Sequence, residues 1–136
     1  MLQAISSVES GNGRFLYGDD GHSLGEFQIC QRAWDDVSAW RRVRGLRTYS
    51  YTRHVFDARV NRLYASDYLT LLQQQLATRL KRPPTIGQIY AAYNMGFSSF
   101  AECGFRVSRV NAGTARKCRD IERMVREADR QVAFNR

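Results

Sequence analysis

The sequence predicts a mainly α-helical single domain over residues 1–136, with a long central helix and a small loop or β-hairpin insertion after the first helix. Three observations predict it. Apolar residues recur at helical spacing in separate stretches near the start, middle and end of the chain. One of them, 55–81, is apolar in two directions, as a helix covered on more than one side is. Turn-forming residues gather in one long segment, Gly11 to Ser23. With 136 residues, 43% hydrophobic and 25% charged, the chain is large enough for one real core. No internal repeat is evident, and the only prolines, Pro83 and Pro84, are adjacent and mark no linker.

At 100° per residue, Met1, Leu2, Ala4, Ile5 and Val8 form one apolar arc, and Gln3, Ser6, Ser7 and Ser10 the opposite one. Gly11-Asn12-Gly13 ends this helix with residues that tolerate positive φ. Phe15 to Tyr17 reads as a short extended piece, followed by the turn Gly18-Asp19-Asp20-Gly21. Ser23 to Ile29 leads into a second helix whose core face is Ile29, Cys30, Ala33, Trp34, Val37 and Trp40. Positions 41–53, basic and polar around Gly45, read as a loop.

The long helix then presents Phe56, Val60, Leu63, Tyr64 and Leu71 in one direction and Leu69, Leu72, Leu76 and Leu80 in another. Pro83-Pro84 stops it. Thr85 and Gln88 form a capping box opening a helix over 86–95, which Gly96 ends. A short turn around 98–103 and an irregular stretch follow. Thr114 is expected to cap a last amphipathic helix carrying Ile121, Val125, Ala128 and Val132.

The net charge of +8, mostly arginine, points to an anionic partner such as nucleic acid, a membrane surface or an acidic wall polymer. On the last helix Asp120, Glu122, Glu127 and Asp129 alternate with the arginines, which reads as a solvated, ion-paired face. No zinc-finger spacing or aromatic RNA-binding signature accompanies the charge, so nucleic acid is not the expected partner. No stretch approaches the roughly 20 apolar residues of a membrane span. No signal peptide is read at the start of the chain. Cys30 reads as a buried thiol, while Cys103 and Cys118 fit equally a disulfide or two free thiols. Neither the cysteines nor His22 and His54 suggest a metal site, and no cofactor is expected.

Glu9 breaks the pattern of the first helix, because it falls inside the apolar arc between the directions of Ile5 and Leu2. A carboxyl there sheds hydration, which favours its protonated form, as a general acid working near neutral pH requires. The alternative is a glutamate whose head reaches solvent at the helix end.

Three blocks share the chain with it: Glu9-Ser10, then Ser23-Leu24-Gly25-Glu26-Phe27-Gln28-Ile29, then Ala91-Ala92-Tyr93-Asn94-Met95-Gly96. In this order the chain resembles the lytic transglycosylases of the SLT (soluble lytic transglycosylase, goose-type lysozyme-like) superfamily. That family's pattern is Glu-Ser, then Gly-Leu-Met-Gln with a hydrophobic residue, then Ala-Tyr-Asn-x-Gly. Tyr68-Leu69 with Leu72 looks like its Tyr-Leu-x-x-Leu element. The resemblance covers residues 2 to about 100.

The resemblance implies a lysozyme-like helical domain, a monomer acting on peptidoglycan glycan strands in the periplasm, cell envelope or outside. It implies cleavage of the β-1,4 bond between MurNAc and GlcNAc with formation of 1,6-anhydro-MurNAc, and Glu9 as the single carboxyl, first acid and then base. Tyr93 would hold the Glu9 carboxyl. Ser10, Ser23, Gln28, Tyr68 and Asn94 would serve substrate binding; amides suit sugars because each offers donors and acceptors. For Gln28 the alternative is a cap on the second helix, with the sugar-binding role favoured; Asn94 fits equally a helix end beside Gly96. Where the family carries Leu-Met, this chain has Glu26-Phe27, and Asp19 stands where many members carry serine. Asp19, Asp20 and Glu26 are therefore possible second carboxylates. One of them at about 6.5–9.5 Å from Glu9 would admit a water and give lysozyme-type hydrolysis. The remaining alternative is a non-catalytic wall-binding module.

Overall fold

The computed structural model describes residues 1–136 and contains seven α-helices and one small antiparallel sheet. The chain divides into two compact units, Leu2–Leu71 and Leu72–Arg136, with Met1 counted in the second.

In the first unit, α1 (Leu2–Ser10) leads into three two-residue strands, β1 (Tyr17–Gly18), β2 (Ser23–Leu24) and β3 (Ile29–Cys30). They form a meander in which Tyr17 pairs with Leu24, Gly18 with Ser23, Ser23 with Cys30 and Leu24 with Ile29. The insertion after the first helix is thus a three-stranded sheet, one strand more than a hairpin. Its third strand takes Ile29 and Cys30 out of the second helix, and Cys30 is half-buried. Helix α2 (Gln31–Val43) starts at the next residue and extends into the stretch expected to be a loop. The chain then turns and forms a short α3 (Tyr51–His54).

Helix α4 (Ala58–Leu80) begins later than expected, because Asp57 caps it. The Asp57 Oδ1 accepts from the backbone N–H of Arg59 at 3.0 Å and of Val60 at 3.1 Å. Phe56 is therefore outside the helix and 45% exposed. Within α4 the buried positions Val60, Asn61, Tyr64, Ala65, Tyr68, Leu72 and Leu76 span one arc of about 160°. The two apolar directions are its margins, and its middle is polar-tipped, with Asn61 and Tyr68.

The core of the first unit is Ile5, Phe27, Ile29, Trp34, Val37, Val55 and Tyr64. Trp34 stacks on Tyr64 with ring centroids 3.8 Å apart. Both carry a polar atom that needs a partner when buried. Trp34 Nε1 donates to the Tyr49 carbonyl at 2.7 Å, and the Tyr64 hydroxyl lies 2.9 Å from Ser38 Oγ and accepts from the Tyr49 N–H. Buried Arg41 is neutralised by Asp67 and donates from Nε to the Arg47 carbonyl at 2.6 Å.

In the second unit, α5 (Ile86–Met95) is buried from Gly87 to Tyr93 and packs on α6 (Phe97–Glu102) and α7 (Ala112–Phe134). Its capping box is present: Gln88 N donates to Thr85 Oγ1 at 3.1 Å and Thr85 N to Gln88 Oε1 at 3.0 Å. A Cβ at Gly87 would meet the movable end of the Glu122 side chain, Oε1 at 2.5 Å. Asn111, not Thr114, caps α7, accepting from the Thr114 N–H at 2.8 Å. Of the expected core residues on α7 only Ile121 is buried. Val125 is intermediate, and Ala128 and Val132 lie on the exposed final turns. Helix α7 equals α4 in length, 23 residues each. Cys103 and Cys118 are free thiols, and Cys118 Sγ donates to the Gly87 carbonyl at 3.5 Å.

Candidate active site

The first two sequence blocks meet in the first unit. Glu9 is half-buried at the penultimate residue of α1, and Ser10, 1% exposed, ends the helix. Ser10 Oγ donates to the Glu26 carbonyl at 2.6 Å and accepts from the Gly13 N–H at 2.8 Å. It also lies 3.2 Å from the Ser6 carbonyl one turn back. One hydroxyl therefore joins the helix end, the Gly11–Gly13 turn and the loop 25–28, and Ser10 acts by position. One turn earlier, fully buried Ser6 donates from Oγ to Glu26 Oε1 at 2.6 Å. Both the backbone and the side chain of Glu26 are thus fixed to the helix that carries Glu9.

The loop 25–28 is built by an amide from far along the chain. Asn61, 1% exposed, accepts from the Phe27 N–H at 2.9 Å and donates from Nδ2 to the Val55 carbonyl at 2.8 Å and the Leu24 carbonyl at 3.4 Å. Gly25 is needed here twice over. Its φ is +80°, and a Cβ would stand 2.3 Å from Asn61 Nδ2 and 2.6 Å from the Val55 carbonyl.

Gln28 also has positive φ, +49°, which costs a non-glycine residue some strain. Its side chain offsets this, donating from Nε2 to the Gly25 carbonyl at 2.9 Å and the Leu16 carbonyl at 3.1 Å. The amide nitrogen is committed to backbone, so Gln28 holds the loop against the start of the sheet.

Asp19 and Asp20 occupy a tight, exposed turn with φ of +48° and +54°. Ser23 Oγ donates to Asp19 Oδ2 at 3.1 Å, which ties the turn across the hairpin. Of the three extra carboxylates, Glu26 is the one bonded to α1. Tyr68 is 7% exposed, and burial first, then Cys30 and Asp36, raises its hydroxyl pKa; Arg32 acts the other way. It lies on the buried face of α4.

Tyr93 and Asn94 belong to the second unit. Tyr93 is buried on α5, its ring stacked with that of Tyr90 at 6.3 Å between centroids. Asn94 Oδ1 accepts from Thr114 Oγ1 at 2.8 Å, so its carbonyl links the end of α5 to the start of α7.

Two residues of this arrangement escaped the sequence reading, Ser6 and Asn61. Ser6 lies on the polar arc of α1, which its periodicity assigns to solvent, yet it is fully buried against Glu26. For Asn61 a signal existed: an amide lying between the two apolar directions of a helix.

On α7 the mixed charges pair among themselves, Arg123 with Asp120 and Glu127, and Arg126 with Glu122. No helix is long and apolar enough to cross a membrane. No three His, Cys, Asp or Glu side chains converge on a point that would hold a metal. Comparison with family models, curated proteins and solved structures finds nothing that matches this chain.

Proposed function

We propose that this protein is a peptidoglycan lytic transglycosylase with a lysozyme-like domain, in which Glu9 is the acid and then the base. The observation that carries the reading is the double attachment of Glu26 to α1 through Ser6 and Ser10. It makes the Glu9-Ser10 and Gly25–Ile29 blocks one piece of structure, as a site assembled from both requires.

In the proposed reaction Glu9 gives its proton to the oxygen of the β-1,4 bond as that bond to C1 breaks, releasing the GlcNAc-side hydroxyl. The substrate's N-acetyl group stabilises the positive charge growing at C1. The Glu9 carboxylate then takes the proton of the C6 hydroxyl, whose oxygen bonds to C1 and closes the 1,6-anhydro ring. No water enters, and Glu9 ends protonated as it began. The anionic wall accounts for the net charge of +8. The reading places the protein in the periplasm, envelope or outside, as a monomer.

A second reading, lysozyme-type hydrolysis, is favoured by one observation: Glu26 is an additional carboxylate fixed to the helix of Glu9. As base it would activate a water in place of the C6 hydroxyl.

Mass analysis of digested peptidoglycan separates the readings. The expected products are anhydro-muropeptides, abolished by Glu9→Gln in a variant that still binds and folds; Glu26→Gln keeps the anhydro ends. Reducing ends lost with Glu26→Gln would establish hydrolysis. Glycan binding with no cleavage by the unaltered protein would leave a wall-binding module.

A further inference from the structure

The first unit holds a cleft that the glycan reading does not use. It has a volume of about 390 Å³, between α2 and the segment 48–52. Cavities that take small ligands run from roughly 300 to 1,000 Å³, so this one suits a small occupant. Its walls are fixed. Trp34, the largest buried side chain, donates to the Tyr49 carbonyl at 2.7 Å, and its ring meets that of Tyr51 edge-on at 5.5 Å. Tyr51 in turn donates its hydroxyl proton to the Ile29 carbonyl at 3.0 Å.

The lining is polar and carries one charge of each sign. From α2 come Asp35, Ser38 and Arg42, and from the facing segment Thr48, Ser50 and Thr52. Asp35 and Arg42 are seven residues apart, on one side of the helix and about 10.5 Å apart along its axis. Asp35 engages one oxygen with Gln31 Nε2 at 2.9 Å, which leaves the other for a ligand. Arg42 is exposed and takes part in none of the chain's ion pairs.

We infer that this cleft binds a short extended peptide segment of about three residues, its ammonium at Asp35 and its carboxylate at Arg42. Three extended residues span roughly 10 Å, which matches the rise along α2 between the two residues that carry the charges. A guanidinium takes a carboxylate through two parallel N–H bonds. The three hydroxyls of the facing wall supply both donors and acceptors for the peptide groups between the ends. The direction follows: the peptide runs from N to C in the same sense as α2. The inference is independent of the glycosidase reading.

Titration of the full chain with trialanine, followed by amide NMR, tests it. The expected result is a saturable shift of the Thr48–Thr52 signals, with Kd raised about tenfold by N-acetylation or C-amidation of the peptide. Arg42→Gln should weaken the free tripeptide about tenfold and leave the C-amidated form unchanged. Asp35→Asn, which preserves the bond to Gln31, should do the same with respect to the N-acetylated form. Both sites are exposed, so the spectrum elsewhere should not move. No saturable shift, or equal affinity for free and doubly blocked trialanine, overturns the inference. None of these outcomes depends on whether the protein cleaves glycan.

Discussion

Each unit has one buried amide side chain that holds backbone, Asn61 in the first and Gln88 in the second, and the two amides work over very different distances along the chain. In the first unit Asn61 fixes a loop 34 residues before it, bonding to Phe27 N–H and to the carbonyls of Val55 and Leu24. In the second, Gln88 serves its own helix start, accepting from Thr85 N–H, and reaches out once to the Phe105 carbonyl at 3.1 Å. The first amide makes no bond within its own helix and organises tertiary structure alone; the second closes a local cap and ties it to one distant carbonyl. A loop that lacks internal hydrogen bonds must borrow them from elsewhere, whereas a helix closes most of its own.

The largest expected effect is on the long-range amide. Asn61→Ala removes the partner of a buried N–H and of a buried carbonyl, at a cost on the order of 3 kcal/mol. Chemical denaturation should show that loss, and hydrogen exchange should show Phe27 N–H losing protection before the amides of α5. Uniform loss of protection through both units would break the comparison.

Gln88→Ala should cost less, about 1–2 kcal/mol, because Thr85 still caps the helix while Thr85 N–H and the Phe105 carbonyl lose their partner. Exchange should rise at the start of α5 and around Phe105. An effect equal to that of Asn61→Ala would mean that local and long-range amides matter alike.

A further effect grows from almost nothing near neutral pH and touches one buried acid in each unit. Burial first, then Glu122, pushes the Cys118 thiol up to about 11, with Arg119 and its own backbone acting oppositely, and burial raises Tyr68 as well. Both stay neutral in the fold at a pH where the unfolded chain ionises them, near 8.5 for Cys and 10 for Tyr. The unfolded state then binds fewer protons, so stability is complete below about pH 8.5 and falls as pH rises, for Cys118 up to about 11. Melting temperature measured from pH 7.5 to 11 should decline, and Cys118→Ala should flatten the first part of that decline. An unchanged slope in the variant would remove Cys118 as its source.

Much of the second unit was legible in sequence because its signals are local. Thr85 and Gln88 are three residues apart, Gly96 follows the last helical residue, and the structure uses both as read. Thr114 misled for a related reason. Asn111 is a better cap by three residues, and Thr114 faces inward to Asn94. In the first unit the same kind of reading found α1 and the turn at Gly18–Gly21, but put Ile29 and Cys30 on a helix. Two-residue strands have too little sequence for a period to show, and only pairing with Ser23 and Leu24 defines them.

The sequence alone determined a mainly helical chain, its capping box, the paired charges of its last helix, and the three blocks from which a site was expected. Those rest on neighbours within a turn or two, so periodicity and residue type suffice. Only the tertiary structure decided that Ser6 and Ser10 clamp Glu26, that Gln28 is tied to backbone and that Asn61 holds the loop. Each of those is a hydrogen bond donated or accepted by a particular buried atom, and which atom lies within 3 Å of which is settled by packing, not by spacing along the chain.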